Sequence, residues 1–342
     1  MKQLTCSICI PVYKGSRVLK NALTSVLAQE GVKFECLIAD DNEPFEVDEI
    51  KKTKQIISSF HDSRIRYVKN MRNLGYPRTM KQLFSHAKND IIFLMAQDDI
   101  LAENALKKTL DAFSLDDNVG AVTRPYFWFE KDIKVPVRAI IPPSRKRHTL
   151  VSFKDDPYRM LPGIIESVGQ LSGLAMHRNL ITSVVHEEHV FTCHVYPFLS
   201  ILKRHNIVYL KDYTVAVRIE ESQSRHVSAI YDISPTKQWM ELLNTIFRET
   251  EYKQFRDAGK EYMLKNYVGL VQLKNYASFQ VLWSEIMTLV KYRPLSVLSP
   301  SFWFFSILSI TMPRHLLTRL TDWYKRTILS RQLPSIQFRK QN

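Results

Sequence analysis

Over the first 125 residues, short apolar runs alternate with polar breaks, and between them lie stretches where apolar side chains return every three or four positions. The first pattern is that of a strand covered on both faces; the second is that of an amphipathic helix. The spacing predicts strands over Thr5–Val12, Phe34–Ala39, Ile65–Val68, Ile91–Met95 and Val119–Thr123. It predicts helices over Ser16–Gln29, Val47–Phe60, Tyr76–Ala87 and Ala102–Phe113. Ser16 is expected to cap the first helix, whose inner stripe is Val18, Leu19, Ala22 and Val26. Strands alternating with helices of this length give a mostly parallel α/β sheet.

Beyond Arg124 the rhythm breaks. Val135–His148 is rich in proline and arginine and reads as a loop. A strand is expected over Gln170–Met176, a helix over Phe198–Arg204, and a strand pair at Val208–Leu210 and Thr214–Arg218. Ser234–Tyr292 reads as mostly helical.

Composition removes several function classes. Nine glycines in 342 residues cannot be assembled into a Rossmann or Walker phosphate loop. Four cysteines are too few for a disulfide scaffold, and Cys6 and Cys9, three apart on one strand, read as core residues in a reduced setting. No period repeats along the chain. The run Leu4–Val12 is short, contains Pro11 and is followed by no small-residue cleavage pattern, so no secretory signal is expected.

The net charge of +14 is unevenly spread. From Lys291 onward there are nine Lys and Arg against Asp322 alone, which leaves that segment at +8. Pro294–Pro313 is uncharged and aromatic, and Leu316, Leu320, Trp323, Tyr324 and Ile328 form one helical stripe. An apolar face with an aromatic rim and a basic flank describes a segment lying in a bilayer interface. A spanning helix is disfavoured by five serines and Pro300; a core helix with a solvated basic face is the remaining alternative.

Two acidic pairs carry the chemistry. Asp40-Asp41 follows the second strand and Asp98-Asp99 the fourth. Ligands of open α/β sheets bind beyond the carboxyl ends of the strands. Adjacent carboxylates there suit a hard cation, Mg²⁺ or Mn²⁺, that takes its other ligands from water and substrate phosphates. Such a cation neutralises charge that builds on a diphosphate leaving group.

With these motifs in order, residues 5–125 resemble the nucleotide-binding half of family-2 glycosyltransferases of the GT-A fold, of the bacterial cell-surface polysaccharide type. The features are Ile10-Pro11-Val12-Tyr13, Asp40-Asp41-Asn42, Asn73-Leu74-Gly75 and Gln97-Asp98-Asp99. The resemblance implies a GT-A domain over 1–230, with a nucleotide-binding half (1–123) and an acceptor half (124–230). A helical lobe (231–290) and a basic amphipathic membrane-associating tail (291–342) would follow. It implies that Pro11, Val12 and Tyr13 line the nucleoside pocket, with Asp40 beside them and Asp41 facing the base. Arg78 would face the diphosphate, Asp98 would contact ribose or metal, and Asp99 would ligate Mg²⁺ or Mn²⁺. Many relatives carry a further Asp two positions before Asp98, where this chain has Ala96.

Family-2 enzymes invert the anomeric carbon, using an acid to deprotonate the acceptor hydroxyl. Counting back from Arg218-Ile219-Glu220 places Cys193-His194 where Glu-Asp is expected. His194, Glu188 and Glu187 are the candidate bases; an unidentified residue, or no catalysis, remains the alternative. His186-Glu187-Glu188-His189 lacks the four-residue spacing of a zinc-protease motif.

The reading is an inverting transferase with a nucleotide-sugar donor and a lipid-linked saccharide acceptor. It would be cytoplasmic and peripherally bound to an anionic membrane surface, the inner face of the plasma membrane. The alternative is a non-catalytic nucleotide-binding or scaffold subunit of a polysaccharide assembly complex. Nucleic acid is not an expected partner, because the tail's aromatics form a stripe rather than a stacking platform.

Overall fold

The structure is a computed structural model that describes residues 3–153, 158–181, 192–219, 233–333 and 335–338. It divides into two units: Met1–Val135, Ala139–Glu221 and Ser335–Asn342 in one, Pro136–Arg138 and Ser222–Pro334 in the other.

The first unit opens with β1 (Thr5–Val12), α1 (Leu19–Leu27), β2 (Lys33–Asp40), α2 (Val47–Ser58), β3 (Ile65–Lys69), α3 (Tyr76–His86) and β4 (Ile91–Leu94). Then come β5 (Ile100–Leu101), α4 (Ala105–Ala112), β6 (Val119–Thr123), β7 (Tyr126–Phe129), β8 (Pro136–Ala139), most of which is assigned to the second unit, and β9 (Thr149–Val151). The unit continues with α5 (Leu161–Val168), β10 (Ala175–His177), α6 (Val195–Leu202), β11 (Asn206–Tyr209) and β12 (Val215–Arg218).

Eight strands form the main sheet in the order β3-β2-β1-β4-β10-β6-β11-β9. The pairs β1–β2, β2–β3, β1–β4 and β6–β11 are parallel; β10 and β9 run antiparallel to their neighbours. The α/β sheet is as expected, with four of its seven strand pairs among the described residues parallel. β4 is apolar throughout and β1 buries a single polar residue, Ser7; Ile8, Ile10, Phe93 and Ile38 pack in the main core beside Leu19, Leu23 and Val26 of α1. The four cysteines are buried free thiols, Cys6 and Cys9 among them as expected.

The chain runs β1, β2, β3 outward and then returns across β1 to β4. Strand order reverses between β1 and β4, which makes the carboxyl ends of these strands a topological switch point. The register aligns those ends: Val12 of β1 is opposite Asp40 of β2, which is opposite Lys69 of β3.

Local differences from the sequence reading have physical causes. Ser16 does not cap α1: its hydroxyl donates to Glu49 of α2 at 3.0 Å, and the helix begins at Leu19. The stretch 170–174 is a turn rather than a strand, because Gly173 (φ +88°) sits against Arg124, whose Nε would lie 2.8 Å from an added Cβ. Val208–Leu210 and Thr214–Arg218 do not pair with each other. β11 joins the main sheet, and β12 pairs with β7 and β5 in a second, smaller one. Strand β8 lies inside the segment read as a loop. Residues 335–338 return to the first unit, with Phe338 edge-on to Phe127 at 5.1 Å.

The second unit is helical: α7 (Pro235–Ile246), α8 (Lys253–Leu264), α9 (Gly269–Tyr276), α10 (Phe279–Tyr292), α11 (Pro300–Thr311) and α12 (Arg314–Tyr324). Ser234, Ser278 and Ser299 cap α7, α10 and α11 by accepting a bond from a backbone N–H. No helix among the described residues is long and apolar enough to cross a membrane.

Gly120, buried in the middle of β6, shows how tightly α6 packs on the sheet. A Cβ there would lie 2.5 Å from Ile201 Cγ2 and 2.8 Å from His205 Cβ. Gly120→Ala should therefore cost about 1–3 kcal/mol, read as a fall in Tm; an unchanged Tm would mean that α6 can withdraw freely.

Candidate functional site

Four strand ends converge on one polar network. Tyr13, just past β1, donates its N–H to Gln97 Oε1, and Gln97 Nε2 donates back to the Tyr13 carbonyl, both at 2.9 Å. The two bonds clamp the end of β1 to the segment that carries Asp98 and Asp99. Gly15 permits this clamp, since a Cβ there would sit 2.1 Å from Gln97 Oε1. Lys14, in a left-handed conformation (φ +49°), donates its N–H to Asn42 Oδ1 at 2.7 Å. Pro11 and Tyr13 are half-buried and Val12 is buried.

The first acidic pair is built into the frame. Asp40 Oδ1 accepts from the Asn42 N–H and Nδ2 at 2.9 Å, and Oδ2 accepts from Tyr67 Oη at 2.6 Å. Burial, and then that bond, hold the Tyr67 phenol well above its ordinary pKa. Asp41 Oδ1 accepts from Leu74 N–H (2.7 Å) and Asn70 Nδ2 (2.8 Å), and Oδ2 from Gly75 N–H (2.9 Å). Gly75 (φ +78°) is the residue before α3, so Asp41 satisfies backbone donors at that helix's entry. The Asn73-Leu74-Gly75 motif is thereby the complement of Asp41. Arg78 lies exposed on the first turns of α3.

The second pair divides into two environments. Asp99 is 1% exposed. Its Oδ2 accepts from Ser172 Oγ (2.6 Å) and Gln170 Nε2 (3.2 Å), and its Oδ1 from the Arg218 N–H (3.0 Å). Burial pushes the Asp99 carboxyl up to about 6, against the stabilising bonds from Ser172 and Arg218. Asp98 is 8% exposed, and its carbonyl accepts from Arg218 Nε at 3.2 Å. Arg218 in turn lies over the Phe129 ring, 4.8 Å from its centre.

Arg124 organises this side of the site. It is fully buried; Nη1 donates to Ser167 O (2.8 Å) and Nη2 to Gln170 O (2.7 Å). It thus fixes the turn that offers Gln170 and Ser172 to Asp99. Burial pulls its pKa down to about 10, still cationic at neutral pH, and its charge opposes that of Asp99.

His194 sits elsewhere, at the start of α6 and 5% exposed. Its Nε2 lies 3.1 Å from the Val168 carbonyl, which requires the proton on that nitrogen; Nδ1 then accepts from Tyr76 Oη at 3.1 Å. Burial pulls its pKa down to about 4. Both nitrogens are engaged, so the ring joins α3, α5 and α6 and does not present a lone pair to a substrate. Glu187 and Glu188, and the His186–His189 segment, lie outside the described residues.

Among the described residues, no group of three His, Cys, Asp or Glu could hold a metal. The donor chemistry that is present, two adjacent carboxylates at a switch point, fits a cation completed by water and phosphate oxygens rather than a protein cage. Sequence reasoning missed Arg124, Gln170, Ser172, Tyr67 and Asn70. Their bonds to the site span 27 to 73 residues of chain, and no local motif marks them.

A mostly parallel sheet flanked by helices, with carboxylates at the switch point, is the GT-A arrangement of nucleotide-sugar transferases. Residues 7–162 match the family described as glycosyl transferase family 2. An uncharacterized protein of Mycobacterium tuberculosis (strain CDC 1551 / Oshkosh) is 30% identical over 128 residues. The match spans 37% of this chain and only 38% of that protein. Among solved structures, the mannosyltransferase PcManGT from Pyrobaculum calidifontis, in complex with GDP-Man and Mn²⁺, is similar with a TM-score of 0.56. It is 12% identical and covers 91% of this chain and 87% of its own. S. aureus TarS 1–349 in complex with UDP has a TM-score of 0.57 at 13% identity, covering 96% and 91%. At such identities the likeness is one of fold.

The His194 geometry predicts a pH effect on stability. Folded, the ring takes a proton only near pH 4; unfolded, it does so near its ordinary value of 6.5. The unfolded chain therefore binds more protons in this window, and stability is lost as pH falls across it, by roughly 3 kcal/mol at most. His194→Gln should reduce the fall in Tm between about pH 7 and pH 4; an unchanged slope would mean the ring is solvated.

Proposed function

We propose that the chain transfers a sugar from a nucleoside-diphosphate sugar to a lipid-linked saccharide acceptor, in the making of a cell-surface polysaccharide. The observation that carries the reading is the switch point between β1 and β4, where the Gln97 clamp joins Tyr13 to the Asp98-Asp99 segment and the Asp41 N–H, donating to the Val12 carbonyl at 2.7 Å, joins Asp40-Asp41 to the same strand end. The nucleotides in the similar solved structures, GDP-Man and UDP, support a donor of this class.

In this reading the backbone of Pro11 to Tyr13 lines the nucleoside pocket. Asp40 and Asp41 shape the pocket by fixing the loops around it, and Asp41 borders the base. Arg78 offers positive charge toward the diphosphate. Asp98 and Asp99 would hold Mg²⁺ or Mn²⁺, which supplies charge neutralisation at the leaving diphosphate. Asp99 is held in place by Ser172 and Arg218. The family implies inversion by a single displacement. Since His194 is tied at both nitrogens, Glu187 and Glu188 become the better candidates for the base. The basic, aromatic-rich segment from Lys291 supports a membrane-borne acceptor and peripheral attachment to an anionic bilayer.

A second reading, a nucleotide-binding subunit without transfer activity, is favoured by two observations: Ala96 in place of an acid and the absence of a free base at His194. Calorimetric titration of UDP, dTDP and GDP, with and without Mn²⁺, tests both. One nucleotide should bind with metal dependence, and Asp98→Asn should weaken it at least about tenfold, with Asp99→Asn as a second variant. Binding of none of the three removes the donor reading. Binding with no donor turnover on any lipid-linked acceptor selects the second reading.

A further inference from the structure

Helix α11 is built inside out for a helix in water. Its buried residues are Phe302, Ser306 and Ser309, while Trp303, Phe304 and Ile307 are exposed. Serines turned inward and large apolar side chains turned outward reverse the usual stripe. The hydroxyls of Ser306 and Ser309 are buried without a partner among the described residues. The turn that leads into this helix, Pro294–Leu298, continues the pattern. Leu295 and Leu298 are 63% and 76% exposed, and Trp303 Nε1 donates to the Val297 carbonyl at 2.7 Å, which braces the turn on the helix.

Beside these side chains is a cavity of about 520 Å³. Lys265, Arg293, Tyr267 and Ser299 line it, and Leu295 and Leu298 form its apolar rim. Arg293 Nε donates to Glu261 Oε1 (3.1 Å) and Nη1 to Tyr267 Oη (3.2 Å), and Tyr267 Oη donates to the buried Ser296 Oγ (3.0 Å). Lys265 Nζ reaches the same Glu261 oxygen at 2.9 Å. One carboxylate thus faces two cations, leaving the cavity with net positive charge.

We propose that this cavity and its rim are a docking site for an anionic phospholipid bilayer. The Leu295–Leu298 turn and the outer face of α11 enter the acyl boundary, and Lys265 and Arg293 take a lipid phosphate at headgroup depth. Charge complementarity selects this occupant. The chain from Lys291 onward is strongly basic, and an apolar rim around two cations matches a phosphate that is attached to acyl chains. A nucleic acid would supply the phosphate but would leave the leucines and α11 in water. The site deepens the membrane-bound part of the proposed function, yet it is read without any sugar chemistry.

The test is flotation with vesicles of phosphatidylcholine alone and of phosphatidylcholine with phosphatidylglycerol. The full-length chain should float with the anionic vesicles and much less with the neutral ones. Leu295→Ser/Leu298→Ser, exposed positions that leave Tm unchanged, should weaken the anionic partition at least about tenfold. Lys265→Gln should weaken it several-fold and reduce the difference between the two vesicle types. Wild-type partition in both variants, or equal floating with both vesicle types, overturns the proposal. So does binding to single-stranded DNA in preference to anionic vesicles. Nucleotide binding is titrated on the same variants and should be unchanged, so a failed donor reading and a failed membrane site give separate results.

Discussion

A carboxylate removed from water must be surrounded by donors, and at Asp99 this requirement ties together three parts of the chain. Ser172 comes from the turn before β10, Arg218 from the end of β12, and Asp99 itself from the segment after β4. The second sheet is pinned to the first at this point. Arg124 completes the arrangement from below, holding the carbonyls of Ser167 and Gln170 so that the turn cannot drift from the acid it serves. An unpaired buried charge is costly, and the raised pKa of Asp99 records how incompletely the donors replace water. A carboxylate in that condition gains from any further positive charge brought near it.

The first acidic pair follows the same logic, with both of its carboxylates surrounded by donors. Asp40 and Asp41 close the loops after β2 and β3, with Asp41 serving the entry of α3. Their geometry is set before any ligand arrives, which lowers the ordering cost of binding. Gln97 performs the corresponding task between β1 and β4, with both ends of its amide used on Tyr13.

The parts legible in the sequence are those governed by local pattern. The strands β1, β2 and β6 contain near-continuous apolar runs bounded by polar breaks, so their positions follow from the run itself. The acidic pairs were visible because they interrupt such runs. What escaped notice depends on distant partners. Ser16 has the chemistry of a cap, but Glu49 competes for its hydroxyl. The apolar run 170–176 looks like a strand until Gly173 is required to make room for Arg124. Arg124 itself carries no local mark; a lone arginine after a strand gives no sign that it will be buried against carbonyls 43 and 46 residues away. His194 was legible as a candidate base and not as a buried connector, because only the fold brings Val168 and Tyr76 to its two nitrogens.

Periodicity also predicts that a stripe exists without saying which way it faces. Leu316, Leu320, Trp323 and Tyr324 form the expected stripe on α12, yet the helix buries Leu317 and leaves the stripe exposed. Within this chain the stripe is not core. On α11 the serines reach the interior because small side chains let helices approach closely, and burying them leaves the aromatic face to be satisfied elsewhere. Burying a Leu or Phe side chain is worth about 1.5–3 kcal/mol, so a helix pair that leaves several such residues in water has forgone stability its own sequence offers. Rotating the helix to bury Trp303 and Ile307 would recover that stability in an isolated chain. That the packing takes the opposite choice is the physical argument behind the bilayer contact proposed for that face.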